Sequence, residues 1–183
     1  AYAYRNPDGR PHLAALIREA LNDLLGELVA EAGITRRQVV DACIVGNTAM
    51  MHLFLELPVR QLAVAPYVAA TDLPVEVKAR TVGLETAPGA YVYVPPSIGG
   101  YVGSDHVAMV LATGLEAVDR VTMGIDIGTN SEIVLRQPGR AHLATASCAS
   151  GPAFEGAHIS DGMRAASGAI EVVRLTQDGA DVK

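Results

Sequence analysis

The sequence predicts an α/β chain in two lobes, and three observations carry that prediction. Half of the 183 residues are hydrophobic and 19% are charged, with no Trp and two Phe. The interior therefore has to be assembled from Ala, Val, Leu and Ile, which suits helices stacked on parallel strands. Helical and strand periodicities alternate from Pro11 to Thr113, and near residue 114 the pattern starts again with three strands in succession.

From Pro11 to Glu31 apolar residues recur at 13, 16, 17, 20, 21, 24, 25, 28 and 29, the spacing of a long amphipathic helix, and Gly33 stops it. Thr35 can cap a single turn. Asp41 to Gly46 reads as a strand apolar on both faces, as in the centre of a parallel sheet. Asn47 or Thr48 caps a short helix, Ala49 to Leu57, which Pro58 ends. Residues 58–89, rich in proline and weak in periodicity, form an irregular crossover. Ala90 to Val94 alternates like a strand, and Pro95 to Gly100 breaks it. A helix follows from about Tyr101 to Thr113, with Val102, Ala108, Met109 and Ala112 as core positions and Gly114 as its stop. Val121 to Ile127, Glu132 to Arg136 and His142 to Ser147 are strands joined by hairpin turns at Gly128-Thr129-Asn130 and Gln137-Pro138-Gly139-Arg140. Gly151 to Gly156 is a loop before a helix at about Ala157 to Ala166. A last strand, from about Ala169 to Leu175, runs into the turn Gln177-Asp178-Gly179, half a hairpin.

Composition excludes several function classes. A net charge of −6 and a pI near 5.3, with no long basic run, argue against a nucleic-acid backbone as partner. Cys43 and Cys148 sit in separate apolar segments without the spacing of a zinc or iron–sulfur site, and are expected as buried small hydrophobes. The five histidines are scattered, with no pair at i, i+4, and read as structural or exposed. There is no signal peptide and no apolar run of membrane-spanning length, so a cytoplasmic protein is expected. The opening Ala-Tyr-Ala lacks Met, which suggests a fragment or processed product.

The residues richest in chemistry are Met123 to Leu135. Alternation sends Ile125 and Ile127 to one face and Asp126 to the other, where a two-sided sheet would bury the acid at a cost of several kcal/mol unless a group such as hydrated magnesium paired with it. Gly128 can take φ > 0, and the N–H groups of Gly128, Thr129 and Asn130 then form a concave donor set suited to phosphate. The same residues also read as a plain hairpin with Asp126 at its wet end. Gly46-Asn47-Thr48 can offer N–H groups to an anion, although capping the following helix is the simpler role. Glu155, on a loop between glycines, has no assigned role.

Gly103-Ser104-Asp105-His106-Val107-Ala108, a short spacer, then hydrophobic-Asp-hydrophobic-Gly-Thr and a hairpin resemble the superfamily of actin, heat-shock ATPases and sugar kinases, which has two RNase H-like lobes. Within it, four motifs in order resemble the reductive activators of corrinoid proteins: Ile44 to Leu55, Ile98 to Asp105, Ile125 to Asn130 and Gly151 to Gly156. The similarity covers most of residues 12–175. It implies a partial actin-like ATPase fold, with residues 1–114 as the later part of the first lobe plus a connecting helix and residues 115–183 as the first part of the second. It also implies a full-length protein with a plant-type 2Fe-2S domain outside this chain, which uses ATP and Mg2+ to drive electron delivery to a corrinoid protein or corrinoid-dependent methyltransferase. ATPase activity is then expected of the full-length protein and not of this chain.

Carried over by resemblance, Asp126 holds a magnesium-bound water, Gly128, Thr129 and Asn130 face the β- and γ-phosphates, and Asp105 orients the attacking water or a metal ligand. Asp105 reads equally well as a solvated acid favoured by the helix dipole. A small-molecule kinase of the same fold and a non-catalytic interaction module are the alternatives. Open strand edges and apolar helix faces lead to the expectation of a homodimer.

Overall fold

The computed structural model describes residues 2–128, 130–149, 160, 162–163, 167–170, 172–177 and 179–182. Two helices open the chain, α1 (Tyr2–Arg5) and α2 (Gly9–Glu31). The apolar residues of α2 divide into two stripes. Ile17 and Leu21 pack on the core, whereas Leu16, Leu24 and Leu28 on the other stripe are about half exposed. Gly33 (φ 66°) stops the helix in the left-handed region, where glycine carries no Cβ penalty. Thr35 then heads a 3-10 turn, Arg36–Gln38, in which Gln38 Oε1 accepts from Thr35 N at 2.9 Å.

Strands β1 (Asp41–Cys43), β2 (Val75–Lys78) and β3 (Tyr91–Val94) form a mixed sheet in the order β1-β3-β2, with β1 parallel and β2 antiparallel to β3. The expectation for the first strand is corrected here: β1 is an edge strand, β3 is central, and Cys43 is exposed rather than buried. Apolar flanks mark a two-sided strand only where something covers both faces.

Helix α3 (Thr48–Phe54) ends short of Pro58 and drives Phe54 completely into the interior. Met51, Phe54, Ala79, Val82, Leu84, Ala90, Val92 and Val94 make the main core between α2, α3 and the sheet. Each large apolar side chain buried there stabilises the fold by roughly 1.5–3 kcal/mol. Arg18 on α2 fastens the far end of α3: its guanidinium donates to Phe54 O and pairs with Glu56, both at 3.0 Å. A cation at a helix C-terminus also opposes the negative end of the dipole.

Helix α4 (Ser104–Thr113) begins later than Tyr101 and stops at Gly114 (φ 60°). Its buried positions are Ser104, His106 and Val110 with Met109 partly covered, and Ala112 is exposed, so the expected core face is rotated. The surface it packs on explains this: Val110 joins Leu115 and Val134 in a second, smaller core.

Strands β4 (Thr122–Ile127), β5 (Asn130–Arg136) and β6 (Ala144–Ala149) form the expected antiparallel meander. Its registers pair Asp126 with Glu132, Gly124 with Val134, Val134 with Thr145 and Glu132 with Ser147. Cys148 lies on the outer strand β6 and is exposed, again against expectation. Strands β7 (Val173–Thr176) and β8 (Gly179–Val182) close a full hairpin rather than half of one. The predicted loop Gly151 to Gly156, with Glu155, and most of the predicted helix at 157–166 lie outside the described residues.

Candidate functional site

Loops leave the carboxyl ends of the parallel strands β1 and β3, lead into α3 and α4, and meet. Such strand ends are where open α/β sheets bind ligands. Ser104 joins the two loops: its hydroxyl accepts from Gly46 N (3.2 Å) and donates to Gly46 O (3.1 Å). Thr48 Oγ1 donates to Gly99 O at 2.9 Å. Gly103 makes the approach possible, since a Cβ there would fall 2.5 Å from Asn47 Cα and 2.6 Å from Gly46 O. Asn47 itself is the helix cap, its Oδ1 accepting from Met50 N at 2.9 Å.

Asp105 is half-buried in the first turn of α4. Its Oδ1 accepts from His106 N at 2.9 Å, and its other oxygen has no hydrogen-bond partner among the described residues.

Asp126 is also half-buried, on the β4 face that turns toward α4. Gly124, two residues earlier on that face, shows how closely the helix side packs: a Cβ there would lie 2.9 Å from both Leu115 Cδ1 and Val134 Cγ1. The opposite face carries Met123, Ile125 and Ile127, which are 59%, 48% and 59% exposed. The sheet thus covers Asp126 on one side only, and the acid is not sealed in as a two-sided sheet would require.

Register sets Glu132 directly across from Asp126, with Ser147 beyond it donating to Glu132 Oε1 at 3.0 Å. Facing residues in such a pair have Cβ atoms about 4.5–5.5 Å apart, and like charges there repel. Among the described residues neither carboxylate pairs with a cationic side chain, and the ion pairs are Arg18–Glu56 and Arg36–Glu85. Carboxylates and a hydroxyl are hard oxygen donors of the kind that hold hydrated Mg2+, which takes one or two carboxylates and keeps its waters. The residues fit such an ion, although among the described residues no group of three or more His, Cys, Asp or Glu forms a ready-made cage.

Successive rows of the meander run along α4. Arg136 Nε reaches Val118 O beyond the helix end (3.2 Å); in the next row Gly124 lies against Leu115 and Met109, and Thr145 Oγ1 meets His106 Nε2 (3.0 Å). The row of Asp126, Glu132 and Ser147 comes next, toward the end of α4 that carries Asp105. Asn130 is exposed at the start of β5. Gly128 does not take the positive φ expected of it; a Cβ there would stand 3.2 Å from Asn130 O, so space rather than handedness favours glycine. Thr129 lies outside the described residues.

Sequence reasoning missed Glu132, Ser104 and His106. Glu132 was findable once the hairpin register was drawn; the other two depend on which elements pack together. His52 is buried, with Nδ1–H donating to Thr48 O (2.7 Å) and Nε2 accepting from Ala70 N (2.9 Å). Burial pushes its pKa below the usual histidine value, and the bond to Thr48 opposes this only in part. Both nitrogens are spent on structure.

Comparison with known proteins agrees with this architecture. The family profile for the RACo middle region matches residues 1–118, and that for the C-terminal, ASKHA domain of RACo matches residues 120–183. Corrinoid activation enzyme RamQ of Eubacterium limosum is 33% identical over 172 residues, which cover 94% of this chain and 28% of RamQ. A Co(II) methylated amine-specific corrinoid protein reductase of Methanosarcina barkeri is 30% identical over 161 residues, covering 83% of this chain and 29% of that protein. The solved structure of a reductive activator for corrinoid, iron-sulfur protein superposes with a TM-score of 0.82 at 41% identity, over 100% of this chain and 29% of that one. The chain therefore spans less than a third of the length of each of these relatives. The fold is a partial actin-like ATPase fold, of the α/β class. This chain belongs to the RACo family of corrinoid activators.

Proposed function

We propose that this chain is the middle part of the ATPase core of an iron–sulfur protein that uses ATP to drive reductive activation of a corrinoid protein. The observation that carries the reading is the opposed carboxylate pair Asp126 and Glu132, left without a cationic partner among the described residues, in a row that runs toward the α4 turn bearing Asp105. The RACo relationship supports it independently. In this reading residues 1–114 contribute the later part of the first lobe with the connecting helix, and residues 115–183 the first part of the second. A corrinoid-dependent methyltransferase is the other partner class considered.

Asp126, assisted by Glu132, would hold Mg2+ through its water shell, and the ion would supply charge neutralisation on the phosphates. Gly128 and Asn130, together with Thr129 as the resemblance assigns it, would supply backbone N–H groups to the β- and γ-phosphates. The unengaged oxygen of Asp105 accepts a hydrogen bond from the attacking water and aligns it with the terminal phosphorus. Cys43 and Cys148 lie on separate sheets, which supports the reading that the 2Fe-2S centre is held elsewhere in the complete protein.

In the complete protein Asp126→Asn keeps the shape and removes the charge, and should lower ATP turnover by about 10²-fold or more while Tm changes little. Equal losses of turnover and Tm would make Asp126 structural and refute the reading. The exposed apolar face of Met123, Ile125 and Ile127 further supports a homodimer. Sedimentation across a concentration series should show reversible association, and a monomer throughout would refute it.

A further inference from the structure

Asp105 is flanked by two anchors. Ser104 before it is tied to Gly46 in the first lobe by two hydrogen bonds, and His106 after it reaches the β4–β6 sheet. His106 is fully buried, and its Nε2 lies 3.0 Å from Thr145 Oγ1. That hydroxyl has one proton, which it donates to Ile133 O at 3.0 Å, so toward His106 it accepts, and the ring carries its proton on Nε2. Nδ1 is buried without a hydrogen-bond partner among the described residues. An unmet buried polar atom is destabilising. Leu or Met would fill the same volume without it, so packing does not account for histidine here; the directional bond to Thr145 does.

Thr145 shares its face with Ser147, two residues along β6, and Ser147 donates to Glu132, the register partner of Asp126. A continuous line of bonded residues therefore connects the α4 turn that carries Asp105 with the strand that carries Asp126, and it crosses between the two parts of the fold at His106–Thr145. We propose that His106 is the positioning residue of the ATP site: through Thr145 it sets the α4 turn, and with it the Asp105 carboxylate, in register with the Asp126–Glu132 row. This rests on the ATPase reading above.

The test uses MgATP hydrolysis by the complete protein. His106→Met and Thr145→Val remove the bond from either side while keeping volume. Each should lower kcat roughly tenfold to a hundredfold, the loss expected from a displacement of about 1 Å in a catalytic group, with a much smaller change in the KM for MgATP. The double variant should be no worse than the weaker single one, because both remove one interaction. His106→Gln places an amide N–H near the Nε2 position and should restore most of kcat. Wild-type kcat in His106→Met and Thr145→Val, additive losses, or a Tm loss in His106→Met that tracks kcat without rescue by Gln would overturn the role of His106 and leave the ATPase reading standing. Absence of MgATP turnover in the wild-type protein would overturn both.

Discussion

Replacing Gly103 by Ala tests the junction between the two loops in a way that a change of charge cannot. Its φ of −86° suits any residue, so the substitution brings no left-handed strain and acts through space alone. The new methyl would stand 2.5 Å from Asn47 Cα, 2.6 Å from Gly46 O and 2.7 Å from Asp105 Oδ1, where ordinary contact begins at 3.4 Å. Two of these neighbours are backbone atoms and do not swing aside. The start of α4 must therefore withdraw by about 0.9 Å, an overpacking strain of roughly 1–3 kcal/mol. For a chain of this length that lowers Tm by about 2–12 °C. Because the same turn carries Asp105, ATP turnover in the complete protein should fall by roughly tenfold to a hundredfold, beyond any effect on folding. Gly89→Ala is the control, since nothing lies within 4 Å of its added Cβ. Thermal melts of the two variants decide the matter: a Gly103→Ala protein that melts with Gly89→Ala refutes the close approach.

Two further outcomes follow from the core. His52 has its pKa lowered by burial, so above the ordinary histidine value of 6.5 it is neutral in both the folded and unfolded states and its contribution to stability is complete. As pH falls below that value the unfolded chain takes the proton first, and stability declines until the folded pKa is reached. The drop in urea midpoint between about pH 7.5 and about pH 5.5 should shrink in His52→Leu, and an unchanged drop would show that His52 titrates as in the unfolded chain. Phe54→Ala empties a fully buried site between α2, α3 and the sheet, and should cost about 3–5 kcal/mol in denaturant unfolding. A loss below about 1 kcal/mol would mean that the pocket collapses around the smaller side chain.

Much of this arrangement was legible before any coordinates. The alternation of Met123 to Leu135, interrupted by the turn-forming residues that follow Ile127, produces the β4–β5 hairpin, because period-two patterning and local turn chemistry agree there. Asn47, Thr35, Gly33 and Gly114 punctuate the helices as local rules require. Errors arose wherever the answer depended on a distant surface. Cys43 and Cys148 read as buried because their neighbours are apolar, yet both lie on outer strands of their sheets. The burial of His106 and Val110 in place of Ala112 reflects where Leu115 and Val134 sit, which no window along α4 contains. Glu132 passed as an ordinary strand residue, since its significance lies in a partner across the sheet rather than in its neighbours along the chain.

The central place of β3 has a consequence for the protein's local motions. Its backbone amides are enclosed by β1 on one side and β2 on the other, and Val92 and Val94 are sealed beneath α2 and α3. Solvent deuterium reaches such amides only when the fold opens globally, so Tyr91 to Val94 should be the last to exchange and should report the global unfolding free energy. The β7–β8 hairpin is the opposite extreme: Leu175 is 87% exposed and, among the described residues, each strand has a single hydrogen-bonded neighbour. Its amides should exchange through local opening, orders of magnitude sooner, so that one molecule carries a slow clock in its first sheet and a fast one in its last.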